Sequence, residues 1–300
     1  MVENIILKNL STLALLELDV TETPYYILGT VDCGQIEANH HSYKYVNQIG
    51  VTIVNTTLET RDVEIVGWII AESEQAMDSR KRILNRFVNP QQYINLQYKD
   101  YNLDFKPTKT IQYTVNISDN NEIMCKFKIT GLAADPLFKD NKETLKTGAM
   151  VHGLFHFPLM IDVVDNGFKT IMFGYKEPSL LIAVKNKGDT KTGFRLLFKA
   201  KGTVVNPILL DVNTQQYIKI NKTLVDDEVV EIDTITGSKR IVGRLNGVES
   251  NYYKYKDLGS TWLELQIGDN VYSFDADEGL DNLEVYIYFS NRYLEVEGCY

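Results

Sequence analysis

Apolar and polar side chains alternate along most of the chain, which is the pattern of β-strands with one buried face. The alternation is clearest in two segments that flank a different kind of pattern, Val63–Ile70 and Ile94–Tyr98. Other alternating segments of the first half are Thr12–Asp19, Tyr25–Val31, Val51–Asn55, Ile111–Ile117 and Ile123–Ile129. The pattern predicts a mostly β protein.

The segment between the two clearest strands, Glu72–Val88, has helical spacing instead. Its apolar residues recur at intervals of three and four, which places them on one face of an α-helix. Acidic residues lie in its first turns and arginines near its end, as the helix dipole favours. Proline disfavours helical geometry in the residue before it, so Asn89 and Pro90 end the helix. For the first half we predict a β-sandwich or barrel with one flanking α-helix.

The stretch between Gly34 and Gly50 fits neither pattern. It is too long and too polar for a tight hairpin loop. We therefore interpret Gly34–Gly50 as an extended arm.

The second half resumes the strand pattern after an irregular stretch that begins at Gly131. Short alternating segments run from Leu159 to Val296 without a helical segment between them. That spacing is typical of an antiparallel β-sandwich. We place a first domain at residues 1–140, a linker at 141–149 and a second domain at 150–300.

Charge and hydropathy narrow the classes of partner. The net charge is −9, is shared evenly between the two halves and includes no basic patch, so nucleic acid is not an expected partner. No apolar run approaches the ~20 residues needed to cross a bilayer, and the start of the chain does not resemble a signal peptide. We expect a protein that is made in the cytoplasm, stays soluble and does not bind membranes.

The spacing of the three cysteines does not point to a disulfide framework or a metal site. Cys33, Cys125 and Cys299 are far apart and show no CxxC spacing, so we predict neither a disulfide framework nor a zinc site. Cys125 alternates with Ile123 and Phe127, which predicts a buried thiol.

No motif for catalysis, nucleotide binding or metal binding is present, and we predict no enzyme, cofactor or metal site. Trp262 is the most informative single residue of the second half, because it lies opposite the apolar face of Leu263 and Leu265. It could stack on a sugar ring or anchor a partner, together with Tyr252 and Tyr253. It could equally cap the edge of the core, and the sequence leaves both interpretations open.

Several turn motifs of the second half occur in an order that resembles a known family. They are Glu231-Ile-Asp-Thr-Ile-Thr-Gly237, Asn246-Gly247 and the stretch Gly259–Asn270. In the first half, Arg80-Lys-Arg-Ile-Leu84 in the helix and Ala134-Asp-Pro-Leu-Phe138 at the exit of the domain agree as well. Together they are similar to the distal tail protein (Dit) family of siphophages, the long-tailed bacteriophages.

The resemblance implies a ring-forming first domain and a galectin-like second domain. It further implies a hexameric ring in the virion tail, which joins the tail tube protein to the tail-tip hub protein and, in many phages, to receptor-binding proteins. The tape-measure protein is a further candidate partner. On this basis the arm is our candidate for contact between subunits, and the arginine face of the helix is a candidate for subunit or tube contact. The residues concerned are His40, His41, Tyr43 and Tyr45 in the arm and Arg80, Arg82 and Arg86 in the helix.

Two alternatives to a phage or prophage tail ring remain open. The first is a carbohydrate-binding β-sandwich protein that recognises a bacterial cell surface through Trp262, Tyr252 and Tyr253. The galectin-like resemblance does not by itself supply a sugar site, because the histidine run and the Trp-Gly motif of galectins are missing. The second alternative is a polysaccharide-degrading enzyme, which requires a pair of carboxylates that the sequence does not identify.

Overall fold

The computed structural model describes residues 4–20, 25–117, 123–153, 174–178, 180–297 and 299. The chain divides into two compact units, the first formed by Met1–Lys142 with Arg292–Tyr300 and the second by Glu143–Asn291. The division predicted from the sequence differs from this one in two places. The last nine residues belong to the first unit, and the predicted linker contains a strand of the second, Thr144–Thr147. The predicted strand at Leu159–Val164 lies outside the described residues.

The first unit is built from β-strands and one α-helix. Its elements up to residue 140 are β1 (Asn4–Asn9), β2 (Leu15–Asp19), β3 (Tyr26–Asp32), β4 (Ala38–Tyr43), β5 (Thr52–Leu58), β6 (Arg61–Ala71), α1 (Glu74–Phe87), β7 (Ile94–Tyr98), β8 (Tyr101–Pro107), β9 (Gln112–Ile117), β10 (Ile123–Ala133) and β11 (Phe138–Asp140).

Seven of these strands close into a barrel in the order β8-β7-β1-β2-β3-β6-β10. Closure occurs where β10 returns to β8, through the antiparallel pairs Gly131↔Pro107 and Leu132↔Lys106. Gly131 permits this approach, because a Cβ atom there would overlap the ring of Phe105. The barrel is filled by the inward-facing residues of each strand, such as Leu7, Ile65 and Phe127. The predicted barrel with one flanking helix is therefore confirmed.

Helix α1 covers one end of this barrel. Ser73 caps its first turn by accepting a hydrogen bond from the amide of Ala76, at 3.2 Å. Met77, Leu84 and Phe87 form its buried face, as the spacing predicted. The helix starts beside the end of β6 and finishes beside the end of β1, where the side-chain amide of Asn9 donates to the carbonyl of Phe87.

The described part of the second unit contains fourteen further strands and two short 3-10 turns. They are β12 (Thr144–Thr147), β13 (Ala149–Gly153), β14 (Gly174–Pro178), β15 (Leu181–Asn186), β16 (Arg195–Ala200), β17 (Val204–Val205), β18 (Ile208–Asp211), β19 (Tyr217–Lys219), β20 (Thr223–Leu224), β21 (Val229–Asp233), β22 (Arg240–Leu245), β23 (Val248–Asn251), the 3-10 turn Tyr253–Tyr255, β24 (Gly268–Asp275), the 3-10 turn Leu280–Asn282 and β25 (Leu283–Phe289).

Two antiparallel sheets enclose the core of this unit. The larger has the order β12-β25-β16-β21-β22-β23 and the smaller the order β15-β24-β18-β19. Phe198, Ile232 and Ile287 of the larger sheet share one buried cluster with Leu209 and Phe274 of the smaller. The predicted antiparallel sandwich is confirmed.

The turn motifs of the second half connect these strands as their residue types require. Asn246 and Gly247 both have positive φ, 51° and 77°, and join β22 to β23 in a two-residue hairpin. The side-chain amide of Asn270 donates to the carbonyl of Gln266, and its oxygen accepts from the amide of the same residue, both at 2.8 Å. The predicted strands at Tyr252–Tyr255 and Trp262–Ile267 are wrong. Tyr253–Tyr255 is a 3-10 turn, and the second segment forms an isolated bridge between Leu265 and Thr192 instead of a strand.

The chain returns to the first unit after β25. Strand β26 (Arg292–Tyr293) pairs with β11, and Val296 enters the core of the barrel unit. A disulfide bond then joins Cys299 to Cys33, whose Cα atoms are 5.5 Å apart. The prediction of no disulfide is wrong, because a separation of 266 residues leaves no spacing signal in the sequence. Cys125 is a free, buried thiol, as predicted.

Candidate interaction surfaces

The arm is a two-stranded hairpin formed by β4 and β5, and among the described residues these strands pair only with each other. Its register runs from Ala38↔Leu58 to Tyr43↔Thr52, with a bulge after His41. The observed arm is thus longer than the predicted Gly34–Gly50. Its second strand, Thr52–Leu58, includes all but the first residue of the predicted strand Val51–Asn55.

The arm is exposed along nearly its whole length, and many of its exposed side chains are apolar. Val46 and Ile49 at the tip are almost fully exposed. A hairpin of two strands without a packed face is marginally stable by itself. The exposed apolar and aromatic residues of the arm are Tyr43, Tyr45, Val46, Ile49, Val51, Ile53, Val54 and Leu58.

The four arm residues predicted at an interface all lie on this exposed hairpin or its tip. Nδ1 of His40 is 2.9 Å from the hydroxyl of Thr56 on the opposite strand, and the side chain of His41 is exposed. The rings of Tyr43 and Tyr45 pack edge to face with centroids 4.8 Å apart. The hydrogen bond that Tyr43 shares with Tyr45 raises the pKa of Tyr43. These contacts organise the arm, and its role at an interface stays a prediction.

Carboxylates surround the base of the arm. An open cavity of about 1180 Å³ lies there, and a second of about 650 Å³ shares Glu37 and Asp62 with it. We call Asp32, Glu37, Glu59 and Asp62 the acidic base; all four side chains are exposed and none forms an ion pair with a described residue. The chain enters and leaves the arm at one point, because the amide of Glu59 donates to the carbonyl of Glu37 at 2.8 Å.

The C-terminal segment, residues 292–297 and 299, forms one wall of the larger cavity through Leu294, Glu295 and Cys299. Arg61, the first residue of β6, is completely buried and donates through Nη2 to the carbonyl of Leu294. Its Nε and Nη1 have no hydrogen-bond partner among the described residues, and burial lowers the pKa of the guanidinium. Arg292 forms an ion pair with Asp135. These bonds fix the C-terminal segment against the barrel.

The three arginines predicted as one face of α1 are separated by the structure. The Arg80 side chain is only 13% exposed, lies 4.0 Å from the ring centroid of Tyr25 and pairs with Glu72 at 2.8 Å. Arg82 and Arg86 are exposed and form no ion pair with a described residue. Between them lies Ile83, whose side chain is 62% exposed. We call Arg82, Ile83 and Arg86 the basic helix face. The helical spacing places Ile83 on the apolar face that packs against the core, and that prediction is wrong because Ile83 is exposed.

The aromatic residues predicted as a ligand contact are mostly engaged within the second unit. Trp262 is half-buried against the core, and its ring centroid lies 6.2 Å from that of Tyr253. The ammonium groups of Lys239 and Lys256 lie 5.7 and 5.9 Å from the Trp262 ring. Of the three predicted residues, only Tyr253 is largely exposed, at 53%.

The described ranges hold no group of three His, Cys, Asp or Glu side chains placed to bind a metal ion. Within those same ranges, no helix has the length and apolar character needed to span a bilayer.

Comparison with solved structures finds the same fold over nearly the whole chain. The crystal structure of SPP1 Dit, described as a paradigm of hub adsorption apparatus in Gram-positive infecting phages, matches with a TM-score of 0.63 and 11% identity. The match covers 96% of this chain and 98% of that one. The phage P2 baseplate in its activated conformation with Ca matches with a TM-score of 0.52 and 13% identity over 99% and 100% of the two chains. These likenesses show the fold.

Family profiles provide the sequence relationship, although no curated protein sequence matches the chain. The profile described as phage tail protein RIFT-related domain matches residues 21–130. The profile described as siphovirus-type tail component, C-terminal domain, matches residues 187–293. The first match lies in the first unit, the second lies in the second unit except for its last two residues, and together they cover more than two thirds of the chain. The chain therefore belongs to the siphophage distal tail protein (Dit) family, whose members are structural components of phage tails.

Proposed function

We propose that this protein is a non-enzymatic structural component of a phage or prophage tail, where it forms a hexameric ring at the distal end of the tail tube. The ring connects the tube to the tail-tip hub and, through it, to the proteins that adsorb to the host. The observation that carries the proposal is the arm, a long hairpin whose apolar side chains find no partner in the described part of its own chain.

The arm has the properties of a segment that is completed by another subunit. Its outer edges expose unpaired backbone groups, which proteins normally cover or pair. Its tip carries Val46 and Ile49 almost fully exposed, and apolar surface of this kind marks sites of protein association. Ordering such a hairpin requires burial that a neighbouring copy in a ring would supply.

The proposal is tested by measuring the mass and shape of the purified protein over a concentration series, by light scattering and negative-stain microscopy. We expect rings of six subunits, or two such rings back to back. In a matched variant, residues 38–58 are replaced by Asn-Gly, which closes a tight hairpin between Glu37 and Glu59. Because those two residues are already hydrogen-bonded, the barrel should fold and remain monomeric.

A control variant keeps the arm but changes its tip, with Val46→Ser and Ile49→Ser. We expect it to assemble at higher protein concentration than the unmodified chain. A wild-type protein that stays monomeric at every concentration, also when mixed with purified tail tubes, would contradict the proposed ring. Binding of the ring to the tail tube protein and to the hub protein is measured by co-sedimentation with each.

A further inference from the structure

Two charged surfaces of the first unit are left without ionic partners in the described part of the chain. The acidic base consists of four exposed carboxylates around the start of the arm, two of which line both cavities there. The basic helix face consists of two exposed arginines, one turn apart, and the exposed isoleucine beside them. Each surface combines charge with apolar area, since Leu58 beside the acidic base is also exposed.

These surfaces lie at opposite ends of the barrel. Strand β3 begins at Tyr26, whose hydroxyl donates to the carbonyl of Arg80 in α1 at 3.1 Å. The same strand ends at Asp32, which belongs to the acidic base. Its antiparallel neighbour β6 runs from Asp62 at the arm back to Ile70, the acceptor for Arg80. Seven residues of extended strand span roughly 20 Å, so the two surfaces cannot neutralise each other within one copy.

We propose that the basic helix face of one copy binds the acidic base of the next, so that the subunits join head to tail around the ring. The inference rests on the proposed ring and adds a second contact between neighbouring copies to the one that the arm makes. Two different surfaces at opposite ends of a subunit produce a heterologous interface, the kind that closes into a ring when the rotation between copies allows it.

The chemistry of the two surfaces is complementary. Arginine presents planar, charged donors that pair with carboxylates in a bidentate manner, and Arg82 and Arg86 have no such acceptor in their own chain among the described residues. Glu37 and Asp62 have acceptors free on the side of the open cavities. Ile83 supplies the apolar centre that an association of this kind buries.

The test is a charge-reversal cycle on the full chain. One variant carries Arg82→Glu and Arg86→Glu, a second carries Glu37→Arg and Asp62→Arg, and a third combines all four changes. Light scattering gives the concentration at which half of the protein is assembled. We expect each reversal to raise it by about tenfold or more, and the combination to recover most of the loss, because opposite charges again face each other.

A matched control reverses two exposed lysines of the same unit, Lys109→Glu and Lys142→Glu, and should assemble almost as the unmodified chain does. Circular dichroism verifies that each variant is folded, and Arg82→Gln with Arg86→Gln replaces the reversal if it is not. If the reversed variants assemble into rings as readily as the wild type does, this inference is overturned, but the proposed ring itself still stands. A wild-type chain that never assembles would overturn both.

Discussion

The hydroxyl of Tyr252 donates a 2.7 Å hydrogen bond to the carboxylate of Glu228, which is completely buried in the second unit. Lys222 pairs with the same carboxylate at 2.7 Å, and the amide of Val225 donates to its other oxygen at 3.0 Å. Burial raises the pKa of Glu228, but these bonds outweigh burial and hold its pKa below the ordinary 4.5. Burial, with the bond to Glu228, raises the pKa of Tyr252 to about 12, so the hydroxyl stays a donor at neutral pH.

Acid should therefore weaken the second unit through Glu228. Because the folded pKa lies below the unfolded value, the stabilisation is fully present above pH 4.5 and is lost as the pH falls through the folded pKa. Glu228→Gln should lower the free energy of unfolding at neutral pH by about 2 kcal/mol, because charged hydrogen bonds are lost. The same change should also make the free energy of unfolding less dependent on pH in acid. Denaturant titrations between about pH 3 and pH 7, which bracket the ordinary carboxyl pKa values, measure both effects.

Tyr252→Phe is the matched control, because it removes one donor and keeps the ring packing against Tyr255. We expect the free energy of unfolding to fall by a smaller amount, about 1 kcal/mol. Its dependence on acid should lie between that of the unmodified chain and that of Glu228→Gln. An acid profile of Glu228→Gln identical to that of the unmodified chain would show that this carboxyl does not control the pH response.

Gly131→Ala should destabilise the first unit at the point where its barrel closes. The new methyl group would overlap the ring of Phe105, which is fully buried between β8 and β10. Overpacking of this kind typically costs about 1–3 kcal/mol. Combining Gly131→Ala with Phe105→Leu should recover part of the loss by making room. Thermal unfolding measures the loss, and an unchanged transition in the single variant would contradict the close packing.

The disulfide should stabilise the first unit only under oxidising conditions. Cys299→Ser removes the link between the C-terminal segment and the end of β3, and we expect a loss of about 2–4 kcal/mol relative to the bridged chain. Adding a reductant should bring the unmodified chain to the stability of the variant and leave the variant unchanged. Equal unfolding of the unmodified chain with and without reductant would exclude a stabilising bridge.

Trp262→Ala should lower the stability of the second unit, whether or not Trp262 also binds a ligand. Since the ring is half-buried and contacts Tyr253 and two lysines, we expect a loss of about 2 kcal/mol in the second unit. Titration calorimetry with bacterial surface glycans tests the alternative role. Lys254→Ala, a change at a neighbouring exposed residue, is the control. Carbohydrate recognition would be favoured if the affinity for a glycan is lost in Trp262→Ala and kept in Lys254→Ala.

The regular elements could be predicted because their patterns are local. The buried face of α1 and the alternation in β6 and β10 are set by spacing alone. Strand β8 was missed although it alternates, because its hairpin with β7 turns at Lys99 and Asp100, without the expected glycine. Lys99 adopts a positive φ of 52° there. Tertiary pairing with β7 selects a backbone conformation that the residue type disfavours.

The surfaces were predictable only in part. The irregular, polar stretch after Gly34 indicated an arm, but its second strand alternates like a strand of the main sheet, so its extent was underestimated. The arginines of α1 looked alike in sequence, whereas Arg80 turns inward because Tyr25 and the carbonyl of Ile70 lie beside it. Arg61 and the Cys33–Cys299 pair depend on a segment more than two hundred residues away, and no local pattern reports such contacts.

The pairing of β11 with β26 makes the whole second unit an insertion. Phe138 and Tyr293 face each other across those two strands, so the chain leaves the barrel and re-enters it at adjacent positions. A segment with neighbouring ends can be removed, or exchanged for any other domain with neighbouring ends, without opening the core of its host. The inserted unit can therefore be exchanged without breaking a strand of the barrel.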